Sequence, residues 1–223
     1  MELRVLPTPA DVATVGADYF VERATQAIGV AGRFVAAVSG GRTPWLMFEA
    51  LARMALPWDR VTLFQVDERI APDGDLDRNF TTLQRLIGHL PVDLRPLPVT
   101  ATDLTAAAAV YAAALPAHFD LVHLGLGPDG HTASLLPGEP AFTEGQLVGL
   151  TGIYQGRHRL TLTPSALERS DHFLWLVTGS DKANALAALL AGDPGIPATQ
   201  VHARGSLVLA DSAAAPDLPA PMV

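Results

Sequence analysis

One segment constrains the fold of this chain more than any other: Asp120–Gly138, which reads Asp-Leu-Val-His-Leu-Gly-Leu-Gly-Pro-Asp-Gly-His-Thr-Ala-Ser-Leu-Leu-Pro-Gly. Asp120 to Leu126 is short and apolar and reads as a buried strand. Gly125, Gly127, Pro128 and Gly130 then break the strand and shape a loop. A loop at the carboxyl end of a buried strand is where open α/β sheets place their ligands. Asp129 and His131 sit in that loop among small neighbours, so little bulk stands between them and a substrate.

The rest of the chain alternates. Helices are expected over Asp11–Ile28, Pro44–Met54, Phe80–Ile87, Leu104–Leu115, Pro164–Arg169 and Asp181–Ala191. Strands are expected over Phe34–Val38, Val61–Val66, Gln146–Leu150, His158–Thr163, His172–Val177 and Ser206–Leu209. Asp67-Glu68-Arg69 is read as the start of a polar loop reaching Asn79. This order predicts an α/β fold: a mainly parallel, Rossmann-like sheet covered by helices on both faces. No repeat or linker interrupts it. One domain is therefore expected over 1–223, with the proline-rich 216–223 as a frayed tail.

With 49% hydrophobic and 17% charged residues, the chain is expected to be globular. It has no cysteine, which excludes disulfides and thiolate chemistry and fits a cytoplasmic location. No leader-like start and no apolar run of membrane-spanning length is evident, so no membrane partner is expected. The net charge of −8 argues against nucleic acid as a partner. An anionic substrate needs a local cationic pocket against that background. Of the 15 basic residues only Lys182 is a lysine.

Ser39-Gly40-Gly41-Arg42-Thr43-Pro44 joins a strand to a helix. Its glycines allow close backbone approach, and its hydroxyls, Arg42 and the helix start suit a phosphate. The same pattern also serves as a plain capped turn, and it lacks the ending of a nucleotide P-loop. Lys182 falls at the start of a helix, where a cation opposes the dipole unless an anion joins it. Arg159, on the 158–163 strand, either faces the site or braces the sheet.

Together these segments resemble a known family. Leu124–Gly138 is similar to the Gly-x-Asp-Gly-His-Thr-Ala-Ser-Leu-Phe/Leu-Pro-Gly signature of the 6-phosphogluconolactonases, within the glucosamine-6-phosphate isomerase superfamily. Ser39–Pro44 resembles the family's Ser-Gly-Gly-Ser/Arg-Thr-Pro loop, and Asp67-Glu68-Arg69 its Asp-Glu-Arg. Arg159–Thr163 resembles its Arg-Ile-Thr-Leu-Thr strand and Gly179–Ala183 its Gly-x-x-Lys-Ala junction. Pro197–Val201 and Asp211–Ala214 resemble its C-terminal elements. The loop after Arg69 departs from the pattern: proline is displaced by one position to Pro72, and Arg78 replaces a serine.

The resemblance implies hydrolysis of a sugar-phosphate lactone, 6-phosphoglucono-δ-lactone, by a cytoplasmic monomer that uses no cofactor and no metal. It implies His131 as the base that activates water, with Asp129 and Asp67 in the catalytic set. Arg69 and Lys182 would hold the phosphate, assisted by Ser39, Gly40, Gly41, Arg42 and Arg159. Amides of Gly40–Gly41 or of the Gly127 loop would receive the oxyanion. A deaminase of the same superfamily carries a Glu five residues after the His, where this chain has Leu136; Glu139 comes three residues too late. A sugar-phosphate sensor would need a DNA-binding module for which there is no spare length. A metal hydrolase using Asp67, Glu68, Asp129 and His131 matches no compact ligand spacing. Ser134 lies outside any nucleophile-elbow pattern.

Overall fold

In the computed structural model, which describes residues 1–140 and 142–216, seven strands form one parallel sheet. They are β1 (Glu2–Leu6), β2 (Phe34–Val38), β3 (Val61–Gln65), β5 (Asp93–Arg95), β6 (Leu121–Gly125), β9 (His172–Val177) and β10 (Gly205–Asp211), in the order β1-β10-β9-β6-β2-β3-β5. Every neighbouring pair in it is parallel. The frayed-tail expectation lies, beyond Pro216, outside the described residues.

Alternation along the strands builds two cores. Phe34, Ala36 and Val38 face one side with Leu174 and Leu176, packing on α1 (Pro9–Ala31), α2 (Arg42–Leu51) and α3 (Asn79–Ile87). Ala37 faces the other side with Phe173, Trp175 and Val177, against α4 (Leu104–Ala114) and α6 (Ala183–Ala191). A period of two on a sheet covered on both faces leaves both residue sets apolar. Helix α1 starts two residues earlier than expected because Thr8 and Asp11 form a capping box ahead of Pro9.

Three features were not read from the sequence. β1 and β5 are short edge strands whose alternate positions carry charge, Glu2 and Arg4 in one, Asp93 and Arg95 in the other, so they lack an apolar signature. Asp67–Arg69 is not loop but β4, and with β7 (Val148–Leu150) and β8 (Arg159–Leu162) it makes a separate antiparallel sheet, β4-β8-β7. The two strands expected near 146–150 and 158–163 exist but belong to this small sheet. A short helix, α5 (Pro164–Leu167), follows it.

Adjacent strands β2 and β6 define the switch point. From β2 the chain crosses to β3 on one side; from β6 it leads by way of the small sheet to β9 on the other. Their carboxyl ends therefore open a crevice between diverging connections. The two glycine-rich loops leave the sheet there.

Candidate active site

The crevice is a cleft of about 400 Å³ lined by loops from four consecutive strands of the sheet. After β2 come Ser39 to Pro44; after β3, Asp67, Arg69 and Asn79; after β6, Gly125 to Pro128 with His131; after β9, Thr178 and Lys182. All the residues expected at the site line it except Asp129 and Arg159.

The loop after β6 is folded on itself. Gly127 N–H donates to the His131 carbonyl at 2.8 Å, and Gly130 N–H to the Gly127 carbonyl at 3.0 Å. Thr132 Oγ1 donates to the Gly125 carbonyl at 2.8 Å. This brings His131 Nδ1 to 2.5 Å from Asp129 Oδ1, a separation that places the shared proton on Nδ1 and leaves Nε2 as the acceptor nitrogen. Only glycine is tolerated at 127, because a Cβ there would collide with His131 Nδ1. Asp129 flanks the cleft by holding the imidazole from outside. Burial raises its carboxyl, but the bonds from His131 and Tyr154 outweigh this and leave it below the ordinary carboxylate range.

Asp67 is nearly buried. Its Oδ2 accepts a 2.6 Å bond from Ser134 Oγ and lies 3.7 Å from Arg159 Nη1. Ser134 is thereby committed as a donor inside the structure. Arg159 lies behind Asp67, buried at 5% side-chain exposure, with Gln155 Oε1 3.3 Å from Nη2. Arg159 does not line this cleft; with Arg69, Gln155 and Arg157 it lines a neighbouring pocket. Arg69, its cross-strand neighbour, reaches the cleft and donates to Asn79 Oδ1 at 2.6 Å and the Asp77 carbonyl at 3.0 Å. Both are neutral acceptors, so among the described residues the Arg69 charge has no carboxylate partner.

Glu68 points away from the cleft. It is fully buried and accepts from the amides of Arg69, Asn79 and Phe80 and from Gln65 Nε2, so it caps the start of α3. Burial pushes its carboxyl up against the opposing pull of those donors. Among the described residues no group of three or more His, Asp or Glu side chains gathers as a metal site.

The anion-facing wall is held from a distance. Gly40 packs so tightly on Asn79 that a Cβ would overlap its side-chain amide. Ser39 N–H donates to Nδ1 of the buried His123 at 3.3 Å, while Ser39 Oγ, buried in the cleft wall, has no protein partner. Thr43 Oγ1 meets Thr178 Oγ1 at 2.6 Å. Among the described residues the Gly40 and Gly41 amides find no acceptor, and the exposed Arg42 has no ion pair. Lys182 ends a 3-10 turn, Ser180–Lys182, and stands at the N-cap of α6 rather than inside its first turn. Asp181 Oδ2, 3.3 Å from Nζ, offsets part of the conflict with the helix dipole that the sequence had left open.

Sequence reasoning missed Tyr154 and Gln155. They sit on a hairpin tip closed by the reciprocal backbone bonds of Tyr154 and Arg157, with Gln155 and Gly156 both at positive φ (51° and 81°). Gln155 lines the cleft, and Tyr154 Oη lies 3.2 Å from Asp129 Oδ2. Gln-Gly between two strands was the available signal for this turn.

Comparison with known proteins is consistent with this geometry. The family model described as Glucosamine-6-phosphate isomerases/6-phosphogluconolactonase matches residues 7–209. A 6-phosphogluconolactonase of Synechocystis is 38% identical over 205 residues, 83% of this chain and 85% of that one. A 6-phosphogluconolactonase of Streptomyces coelicolor is 38% identical over 212 residues, 82% and 81% of the two chains. Among solved structures, the 6-phosphogluconolactonase of Thermotoga maritima superposes with a TM-score of 0.84 at 25% identity, covering 94% of this chain and 99% of its own. A monomeric glucosamine-6-phosphate deaminase reaches 0.85 at 20% identity, covering 96% and 98%. The backbone alone therefore does not separate lactonase from deaminase.

Proposed function

The chain belongs to the glucosamine-6-phosphate isomerase/6-phosphogluconolactonase family, and from that premise we propose that it hydrolyses 6-phosphoglucono-δ-lactone to 6-phosphogluconate. One observation carries this reading: an imidazole held by a carboxylate at Nδ1, with Nε2 unengaged, shares a cleft with Arg42, Arg69 and Lys182. Ester hydrolysis needs the first, and a substrate phosphate needs the second.

In the proposed reaction His131 Nε2 takes a proton from water as the water oxygen attacks the lactone carbonyl carbon. The carbonyl oxygen becomes an oxyanion. As it collapses, the bond to the ring oxygen breaks and the imidazolium returns its proton to that oxygen. Asp129 fixes the tautomer and stabilises the imidazolium. Asp67 supports the floor of the cleft and holds Ser134 and Arg159. Arg69 and Lys182 grip the phosphate, with Arg42 and Ser39 Oγ beside them, and so position the carbonyl. The Gly127 amide is already engaged by the His131 carbonyl. The Gly40 and Gly41 amides, unengaged among the described residues, are then the donors proposed for the oxyanion. The proposal includes no metal or cofactor, and a monomeric, single-domain, cytoplasmic enzyme.

The deaminase reading lacks its acid. Leu136 and Glu139 line a different pocket, and Glu139 Oε2 accepts from the Gly152 amide at 3.3 Å. The test is to supply each substrate to the purified protein. Acid release from the lactone well above its spontaneous hydrolysis is expected, with no ammonia from glucosamine 6-phosphate. Ammonia release without lactone turnover would overturn the proposal.

A further inference from the structure

We propose that Tyr154 is a positioning residue that holds the Asp129 carboxylate, through its second oxygen, against His131. The inference rests on the lactonase reading for its kinetic consequence, and on geometry alone for its structural one.

A carboxylate on a loop turns easily about its terminal torsion, which has broad, two-fold preferences. Asp129 is partly exposed; within the loop its Oδ1 meets the His131 ring at 2.5 Å and accepts from the His131 amide at 3.2 Å, so both local bonds fall on one oxygen. Tyr154 Oη donates to the other oxygen, Oδ2, at 3.2 Å. The tyrosine ring meets the His131 ring edge to face, with centroids 5.2 Å apart and planes at 67°. One side chain thus restrains both members of the pair.

Tyr154 is itself braced. The Arg159 guanidinium stands 5.0 Å from its ring centroid, in the range of a cation–π contact, and Arg159 is tied to Asp67 and Ser134. The hairpin tip is anchored across the cleft mouth by Arg157, which pairs with Asp75 at 3.0 Å and Asp77 at 2.9 Å. The β6 loop itself holds Oδ1; the bond to Oδ2 comes from the hairpin.

The test uses the full chain with Tyr154→Phe, which keeps the ring and its contacts with His131 and Arg159. A fall in kcat of about threefold is expected, with KM and the thermal midpoint unchanged. In the substrate-free protein, exchange of the His131 Nδ1–H proton with solvent, followed by NMR, should speed up by a similar factor. Unchanged exchange in the variant would overturn the proposal, as would an activity loss that merely tracks a lower thermal midpoint. A rise in KM alone would assign Tyr154 to substrate contact and overturn it too. If the wild type fails to hydrolyse the lactone while the faster exchange is seen, the lactonase reading falls and the positioning role stands.

Discussion

The loop that carries His131 and the wall that carries the cations are built in opposite ways. The turn of the loop is closed by bonds within a few residues, Gly127 to His131, Gly130 to Gly127, His131 to Asp129 and Thr132 to Gly125, with Tyr154 and Ala198 tying it from outside. The wall is assembled from parts far apart in the chain. Ser39 leans on His123, Thr43 on Thr178, Gly40 on Asn79 and Gly179 on Asp211. A local loop can be altered with its effects confined to chemistry. A wall made of long-range contacts couples ligand binding to the stability of the sheet ends.

The largest expected effect is on the local side. His131→Ala should cut kcat for the lactone by on the order of 10²–10⁴-fold, the usual share of a general base, while the thermal midpoint stays put. Rates must be taken above spontaneous hydrolysis. If the midpoint falls sharply along with kcat, the loop is not the self-contained unit described above.

Next is the wall's charge. Lys182→Ala should weaken 6-phosphogluconate binding by about 1.5–3 kcal/mol, the worth of a hydrogen bond to a charged group. Turnover of unphosphorylated glucono-δ-lactone should hardly change. Titration calorimetry on wild type and variant decides this, and equal losses on the two ligands would move Lys182 from phosphate recognition to support of the fold.

The smallest effect concerns pH and the wall's hidden brace. Complete burial lowers His123 from 6.5 to about 3. Below about pH 6.5 the unfolded chain binds a proton there that the folded chain refuses. The stability from this group is therefore fully present above pH 6.5 and is lost as pH falls from about 6.5 to about 3, by up to about 1.4 kcal/mol per pH unit. His123→Asn, which keeps an acceptor for the Ser39 amide but does not titrate, should flatten that slope in denaturant unfolding followed at several pH values. An unchanged slope would mean that His123 is not the group responsible.

The same contrast explains which features were legible. The β6 strand, its glycine-rich loop and the Asp129–His131 spacing are local, so their residue order announces them. The Ser39–Pro44 loop is legible for the same reason. β1 and β5 are not, because an edge strand pairs on one side only and carries charge where a core strand carries apolar residues. Asp67–Arg69 read as loop because three residues hold no period, and only the partner β8 makes them a strand.

From residue order alone came the alternating strands and helices, hence a parallel sheet with helices on both faces, and the residue types needed for ester hydrolysis and phosphate binding. Periodicity and turn chemistry act over a few residues, which is why a linear string can carry them. Tertiary structure alone decided that Arg159 lies beside Asp67 and lines a neighbouring pocket, that Glu68 caps α3, and that Tyr154 reaches Asp129. Each depends on the direction of a side chain across a strand pairing or a hairpin tip. Shifting such a pairing by one residue turns every side chain to the opposite face, and no local pattern in the sequence records that choice.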